Sequence, residues 1–200
     1  GSGPVLMMTA WSYAKPGKNV VTTETGYGQL TRAFADHGGD VITVPLAENM
    51  GYDLKALGRA INENTAIVYI CNPNNPTGVI ADPAELRRFI MAVPPSVLVF
   101  VDEAYLELSD TGLQANTMAP LVKVRKNLII SRTFSKAHGM AGLRAGYGVA
   151  HPEVLANLRK FYAGGPSYLA AIAAQEAIKD KAHMEANRQK YKEVRDYVCS

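Results

Sequence analysis

The clearest indication of the fold is the stretch Val97-Leu-Val-Phe-Val-Asp-Glu-Ala-Tyr105. Five consecutive apolar residues leave neither face of a strand for water, which is typical of a strand buried on both sides in a mostly parallel sheet. A carboxylate, Asp102, follows the strand directly. Its burial is costly unless a cation or strong hydrogen-bond donors meet it, which favours a functional role. A helix N-cap explains the same residue equally well when this segment is taken alone.

The rest of the chain repeats this alternation of apolar runs and amphipathic stretches. Strands are predicted at Asn19–Thr23, Asp40–Val44, Ala66–Cys71, Val97–Asp102, Asn127–Ser131 and Ala145–Ala150. Helices are predicted at Pro4–Tyr13, Gln29–Asp36, Leu54–Ile61, Pro83–Met91 and Pro152–Phe161. After Gly164-Gly165-Pro166 the strand pattern stops, and two helices are predicted at Ser167–Lys179 and Lys181–Val198. The pattern predicts a three-layer α/β/α fold with a mostly parallel sheet.

Composition narrows the class of protein. The 200 residues are 48% hydrophobic and 20% charged, with a net charge of +3 and scattered basic residues, which argues against a nucleic-acid partner. No apolar run approaches the roughly 20 residues of a membrane helix. The cysteines Cys71 and Cys199 make neither a disulfide framework nor a metal-binding spacing, so we predict no metal and a reducing, cytoplasmic location.

Polar and aromatic residues directly follow four of the predicted strands. These segments are Thr23–Tyr27, Asn72–Gly78, Asp102–Tyr105 and Ser131–Lys136. In doubly wound sheets, ligands bind outside the carboxyl ends of the strands. The sequence therefore predicts one site built from all four segments.

The glycine-rich run Ser131–Gly148 places Thr133, Ser135 and Arg144 around Lys136, a combination suited to an oxyanion. Lys136 could bind the same oxyanion or act as a nucleophile. In Asn72–Gly78, two prolines stiffen a loop that presents Asn75, although a simple turn before a helix is also possible. A nucleophilic lysine, a buried carboxylate and a phosphate site together suit pyridoxal 5'-phosphate.

Four motifs in order carry a family resemblance: Asn72-Pro-Asn-Asn-Pro-Thr-Gly78, Asp102-Glu-Ala-Tyr105, Thr133-Phe-Ser-Lys136 and Gly142-Leu-Arg-Ala-Gly146. With them the chain resembles the class I/II, fold-type I aminotransferases, and most closely the histidinol-phosphate aminotransferase group. The motifs span almost the whole chain. The resemblance implies the large pyridoxal-phosphate-binding domain of such an enzyme.

Carried onto this sequence, the resemblance implies roles at the cofactor's ring. Lys136 would form the Schiff base and later shuttle a proton, and Asp102 would keep the pyridine nitrogen protonated. Asn75 and Tyr105 would hydrogen-bond the phenolic oxygen. Tyr27 would stack on the ring, although a strand-end tyrosine packed on the core explains it too.

The resemblance implies a second group of residues at the phosphate. Thr133, Ser135 and Arg144 would hold it, with the arginine able to bind in a bidentate manner. Ser2 and Gly3 lie in a loop before a helix whose N-terminus would receive the same phosphate. Pro4 removes one backbone donor from this turn.

The family's chains are longer than this one. We therefore expect residues 1–180 to be the large domain without its N-terminal segment, and residues 181–200 to begin the helix that connects to a C-terminal small domain. The natural N-terminus would then be absent, so a signal peptide cannot be judged. The resemblance implies a homodimer.

The implied reaction is a ping-pong transfer of an amino group from a histidinol-phosphate-like or aromatic donor to a 2-oxo acid such as 2-oxoglutarate. The same cofactor site also serves decarboxylases and C–S lyases, and a non-catalytic fragment that binds pyridoxal phosphate is a further alternative. Outside the site, we expect Glu103 to brace its loop, Cys71 to be buried and inert, His138 to be structural, and Met7 to belong to the core.

Overall fold

The computed structural model describes residues 1–162, 165 and 167–200 of the chain. Its centre is one six-stranded sheet in the order β2-β1-β3-β4-β5-β6. The strands are β1 (Asn19–Thr23), β2 (Asp40–Val44), β3 (Thr65–Cys71), β4 (Leu98–Asp102), β5 (Leu128–Thr133) and β6 (Gly146–Ala150). All six predicted strands are therefore confirmed, with ends that move by no more than two residues.

Helices cover the sheet. They are α1 (Gly3–Tyr13), α2 (Gln29–Asp36), α3 (Leu54–Ala60), α4 (Pro83–Ala92), α5 (Gly112–Asn116), α6 (Pro152–Arg159), α7 (Tyr168–Lys179) and α8 (Lys181–Cys199). Short 3-10 helices at Leu106–Leu108, Ala119–Lys123 and Ala141–Leu143 were not predicted, and neither was α5. The segment Gly164-Gly165-Pro166, after which the strand pattern was predicted to stop, lies partly outside the described residues, since Gly164 and Pro166 are not among them.

The strand directions create the edge at which a ligand can bind. Strands β1 to β5 run parallel, and β6 is antiparallel to β5. The chain moves outward from β1 to β2, and then returns to place β3 on the other side of β1. This reversal is the topological switch point where doubly wound sheets open a crevice. The predicted α/β class with a mostly parallel sheet is confirmed.

Two hydrophobic clusters, one on each face of the sheet, explain why the central strands are continuously apolar. Along β4, Val99 and Val101 pack into one cluster, whereas Leu98 and Phe100 pack into the other. Successive side chains of a strand point to opposite faces, so both faces need apolar residues. The edge strands β2 and β6 are mostly exposed, and only their last residues, Val44 and Ala150, are buried.

Helix ends follow the local sequence. Asp53, Asp82 and Asp180 cap α3, α4 and α8 by accepting backbone N–H bonds at 2.8 to 2.9 Å. The last helix, α8, buries no residue, and Arg195 ties it to Asp110 at 2.7 Å. None of the helices in the described part of the chain is long and apolar enough to cross a membrane.

Candidate active site

A cavity of about 430 Å³ opens at the carboxyl edge of the sheet. The structure brings all ten sequence-predicted site residues to its wall: Ser2, Gly3, Tyr27, Asn75, Asp102, Tyr105, Thr133, Ser135, Lys136 and Arg144. Nine of them come from the carboxyl ends of four strands and from the start of α1, and Arg144 precedes β6, whose antiparallel direction brings its start to the same edge. The parallel directions of β1, β3, β4 and β5 explain this convergence, since their carboxyl ends meet at one edge.

Asp102 ends β4 at the floor of the cavity and is 1% exposed. Its Oδ1 accepts a hydrogen bond of 2.7 Å from the Ser131 hydroxyl. Burial raises the pKa of Asp102 to about 6, against the lowering effect of the hydrogen bonds from Ser131 and the Ala104 N–H. The nearest following helix begins at Leu106, so Asp102 is not a helix N-cap. A buried carboxyl with a pKa near neutrality is a partner for a cationic group that enters the cavity.

The Asn72–Gly78 loop is held by its first and third residues. Asn72 Oδ1 accepts from the Ala81 N–H at 2.8 Å, and Asn74 Nδ2 donates to the Thr25 carbonyl at 3.0 Å. Both side chains are buried. Asn75 is left to face the cavity, where its Nδ2 donates to the Tyr105 hydroxyl at 3.2 Å. The loop thus presents one amide beside one phenol.

Lys136 is exposed at the mouth of the cavity. Its Nζ lies 4.9 Å from the centroid of the Tyr105 ring. Interaction with the Tyr105 side chain, mainly hydrogen bonding, raises the pKa of Lys136. The amine is therefore protonated near neutral pH and must lose a proton before it can attack a carbonyl group.

The other end of the cavity collects donors for an anion. Arg144 Nη1 reaches the Ser135 hydroxyl at 3.4 Å, and the Ser135 N–H donates to Thr133 Oγ1 at 3.1 Å. Ser2 precedes the first turn of α1, so the helix N-terminus points to the same region. Arg144 has a left-handed backbone with φ of 55°, and its Nη1 also donates to the Ala141 carbonyl at 2.8 Å. The arrangement suits a phosphate group.

Gly146 allows β6 to approach this anion site closely. A Cβ atom there would lie 2.6 Å from the Ser2 backbone nitrogen. No side chain fits at that distance, so the motif Gly142-Leu-Arg-Ala-Gly146 needs glycine at its end. The close approach holds the turn before α1 against the strand that follows Arg144.

A buried ion pair braces the site from behind. Glu103 is fully buried and accepts from Arg132 Nε at 3.0 Å, from the Thr117 hydroxyl and from the Met118 N–H at 2.7 Å, and Arg132 Nη2 lies 2.9 Å from its carboxylate. Burial raises the pKa of Glu103, and Arg132 opposes that shift. These contacts agree with the predicted bracing role of Glu103, and its cation, Arg132, was missed because only the pairing of β4 with β5 brings the two together.

Sequence reasoning also missed parts of the wall. Gln29, at the start of α2, lines the cavity and accepts a hydrogen bond from the Tyr27 hydroxyl at 3.0 Å. Met7 lines the cavity, which corrects its assignment to the core, because this face of α1 turns to the site. Cys71 is buried as expected, but it too reaches the wall. The position of Gln29 just after a strand-end segment was the available signal.

The sequence analysis allowed core packing as an alternative for Tyr27 and predicted a structural role for His138. Tyr27 is 38% exposed on the cavity wall, so it is not packed into the core. His138 is half-buried, with its ring 4.8 Å from that of Phe134. This packing agrees with a structural role for His138.

The fold and the site together define a class of protein. A lysine, a buried carboxyl and an anion site share one cavity at the switch point of a doubly wound sheet, which suits a phosphate-bearing cofactor with a basic ring nitrogen. The chain belongs to the family of class I and II aminotransferases, whose family model matches residues 1–200. The resemblance seen in the four motifs is thereby confirmed.

Comparison with individual proteins agrees with this family assignment. The chain is 41% identical over 201 residues to histidinol-phosphate aminotransferase of Moorella thermoacetica, covering 100% of this chain and 52% of that protein. It is 45% identical over 144 residues to aromatic amino acid aminotransferase of Mycolicibacterium vanbaalenii, covering 70% and 40% respectively. The structure of histidinol-phosphate aminotransferase from Sinorhizobium meliloti in complex with pyridoxal-5'-phosphate matches with a TM-score of 0.88 at 31% identity, over 97% of this chain and 52% of that one. The chain spans about half the length of the histidinol-phosphate aminotransferases it matches.

Proposed function

We propose that this chain is the pyridoxal-phosphate-binding part of an aminotransferase. The observation that carries the proposal is the shared cavity of Lys136, Asp102 and Arg144. These residues meet the three chemical demands of that cofactor, namely an amine for its aldehyde, a carboxylate for its ring nitrogen and a donor group for its phosphate. Residues 1–180 would form the large domain, and residues 181–200 the start of a connecting helix.

When bound, the cofactor supplies a sink for the negative charge that develops at the substrate Cα. Lys136 would hold the cofactor through its amine and, with that amine free, would move the proton at that Cα. Asp102, as a carboxylate, keeps a proton on the ring nitrogen. Asn75 and Tyr105 orient the ring through hydrogen bonds to its phenolic oxygen.

Thr133, Ser135 and Arg144 bind the phosphate, together with the N-terminus of α1 at Ser2 and Gly3. This end of the site would fix the cofactor independently of Lys136. Tyr27, on the cavity wall, would stack on its ring.

The proposed reaction takes an amino group from a histidinol-phosphate-like or aromatic donor and passes it to 2-oxoglutarate or a similar 2-oxo acid in ping-pong order. The names of the relatives support this donor class. We further propose a homodimer in the cytoplasm. The resemblance supports the dimer, and the two free cysteines, Cys71 and Cys199, support a reducing compartment.

Reductive labelling tests the cofactor assignment. The protein is mixed with pyridoxal 5'-phosphate, reduced with borohydride and digested, and the modified lysine is located by mass spectrometry. Specific label on Lys136, lost in Lys136→Ala and kept in the matched surface variant Lys160→Ala, supports the proposal. Label spread evenly over surface lysines of a folded protein would overturn it.

Amino transfer is measured separately, as glutamate formed from 2-oxoglutarate with histidinol phosphate or with phenylalanine. Glutamate formation with either donor supports an aminotransferase. Specific labelling without transfer, but with release of carbon dioxide or of a thiol, would instead assign a decarboxylase or a C–S lyase. Labelling with no turnover of any kind would assign a non-catalytic binding role.

A further inference from the structure

Ser131 stands behind the candidate site and does not line its cavity. It is paired with Asp102 in the register of β4 with β5, and both residues are essentially inaccessible to solvent. The Ser131 hydroxyl lies 2.7 Å from Asp102 Oδ1, whereas its carbonyl accepts the Glu103 N–H at 2.9 Å. The serine is therefore held at both ends against the residues it contacts.

The Ser131 hydroxyl supplies Asp102 with a hydrogen-bond donor inside the protein, where water does not reach the carboxylate. A carboxylate accepts hydrogen bonds only, and a charge-assisted bond is about twice as strong as a neutral one. The bond therefore favours the ionised form of Asp102 over its protonated form. A carboxylate has about four lone-pair sites, so Asp102 can accept the Ser131 hydroxyl at Oδ1 and still accept from a group in the cavity.

The other influences on this carboxyl are divided between opposing and favouring its ionisation. Burial raises the pKa of Asp102 most strongly, and the neighbouring Glu103 raises it further, whereas the Ala104 N–H and the Lys136 ammonium lower it. The titratable groups that face Asp102 from the packed elements are Tyr52, Tyr69, Cys71, Glu103 and Lys136. Lys136 is the one cation among these described groups, and in the proposed function its amine would be bonded to the cofactor and no longer be a free ammonium group. The Ser131 hydroxyl takes no part in that attachment.

We propose that Ser131 is a positioning residue that keeps Asp102 ionised and directed at the ring nitrogen of the cofactor. The inference rests on the proposed function, since it concerns the partner of that nitrogen. Ser131 itself touches neither the cavity nor a ligand in it, so it acts through Asp102 alone.

The test uses pyridoxamine 5'-phosphate, which carries the ring nitrogen and the phosphate but needs no covalent bond to Lys136. Its affinity is measured by calorimetry from pH 5 to 8.5 for the wild type, Ser131→Ala and Ser131→Thr. A benzenoid analogue with C–H in place of the ring nitrogen serves as the matched control ligand. It keeps every phosphate contact and removes the partner of Asp102.

Ser131→Ala should bind pyridoxamine phosphate about tenfold more weakly at pH 7, the expected consequence of losing one hydrogen bond to a charged group. The acidic limb of the affinity profile should move up by about one pH unit. The analogue should bind all three proteins alike, and Ser131→Thr, which keeps a hydroxyl, should restore the wild-type profile. Equal losses for both ligands, or an unmoved acidic limb, would overturn the proposal.

Failure of the proposed function has a different signature. If the wild type binds neither ligand, the proposed function is wrong. The effect of Ser131 on the ionisation of Asp102 is then tested in the protein without a ligand. The free energy of unfolding is then measured against pH for Ser131→Ala in the wild-type and Asp102→Asn backgrounds. A steeper loss of stability with rising pH in the first background but not in the second supports the pairing. The same slope in both backgrounds overturns it.

Discussion

Removing the cation from the buried pair behind the site should have a large effect that depends on pH. Arg132→Met keeps much of the side-chain volume but leaves Glu103, whose side chain is 1% exposed, with the Thr117 hydroxyl and the Met118 N–H as its described partners. Breaking a buried pair from one side costs about 3–5 kcal/mol, because a charge is left uncompensated.

Proton uptake limits that cost. The ordinary pKa of a glutamate is 4.5, so protonating Glu103 at pH 7 costs about 3.4 kcal/mol at 1.36 kcal/mol per pH unit. The variant should therefore be about 3 kcal/mol less stable at pH 7. Its folded state binds a proton that its unfolded state has released, so stability falls as pH rises above 4.5. At pH 5 the loss should shrink to about 1 kcal/mol.

Urea unfolding followed by circular dichroism at pH 5, 6, 7 and 8 measures this difference. Arg88→Met is the matched control, since Arg88 lies 3.9 Å from Glu85 with both side chains well exposed. That substitution should cost less than about 1 kcal/mol at every pH. Glu103→Gln combined with Arg132→Met should recover part of the lost stability and remove the pH dependence. A loss for Arg132→Met below about 1 kcal/mol at pH 7, or one that does not change with pH, would refute the reasoning.

Three further predictions concern single residues. Because burial raises the pKa of Asp102 to about 6, the wild type should lose up to about 3 kcal/mol of stability as pH rises from about 4 to above 6. Asp102→Asn should remove this loss. Urea-unfolding free energies of wild type and variant that run parallel against pH would contradict the prediction. Gly146→Ala should weaken binding of pyridoxal phosphate at least about tenfold, because its Cβ would collide with the backbone of the anion site, whereas Gly142→Ala, with nothing within 4 Å, should bind normally in the same titration. Asp82→Ala removes the N-cap of α4 and should lower the free energy of unfolding by about 1 kcal/mol, and no change in the urea midpoint would show that the cap is not formed in solution.

Much of the fold could be predicted from the sequence because buried parallel strands are marked locally. A run such as Leu98–Asp102 is apolar at every position before its last, and its flanks carry turn and cap residues. The exposure of β2 and β6 could not be predicted, since edge positions follow from the strand order. The same holds for the antiparallel direction of β6.

The ten chemically important residues of the site could be identified from the sequence, although other parts of its wall could not. Lys136, Asp102 and Asn75 each lie in a segment that follows an apolar run, and parallel strands bring such positions to one edge, whereas Arg144 precedes β6 and reaches that edge because β6 is antiparallel. The short-range motifs therefore contained the chemistry of the site.

Only the tertiary structure decided which groups support those residues. The bonds from Ser131 to Asp102 and from Arg132 to Glu103 each join residues 29 positions apart. They depend on the register of β4 against β5, in which Asp102 lies opposite Ser131. A shift of one residue would turn every side chain of a strand to the other face, and no local pattern in either strand specifies that register. The reactive groups can thus be identified from local sequence motifs, whereas the partners that set their charge states depend on the packing of the sheet.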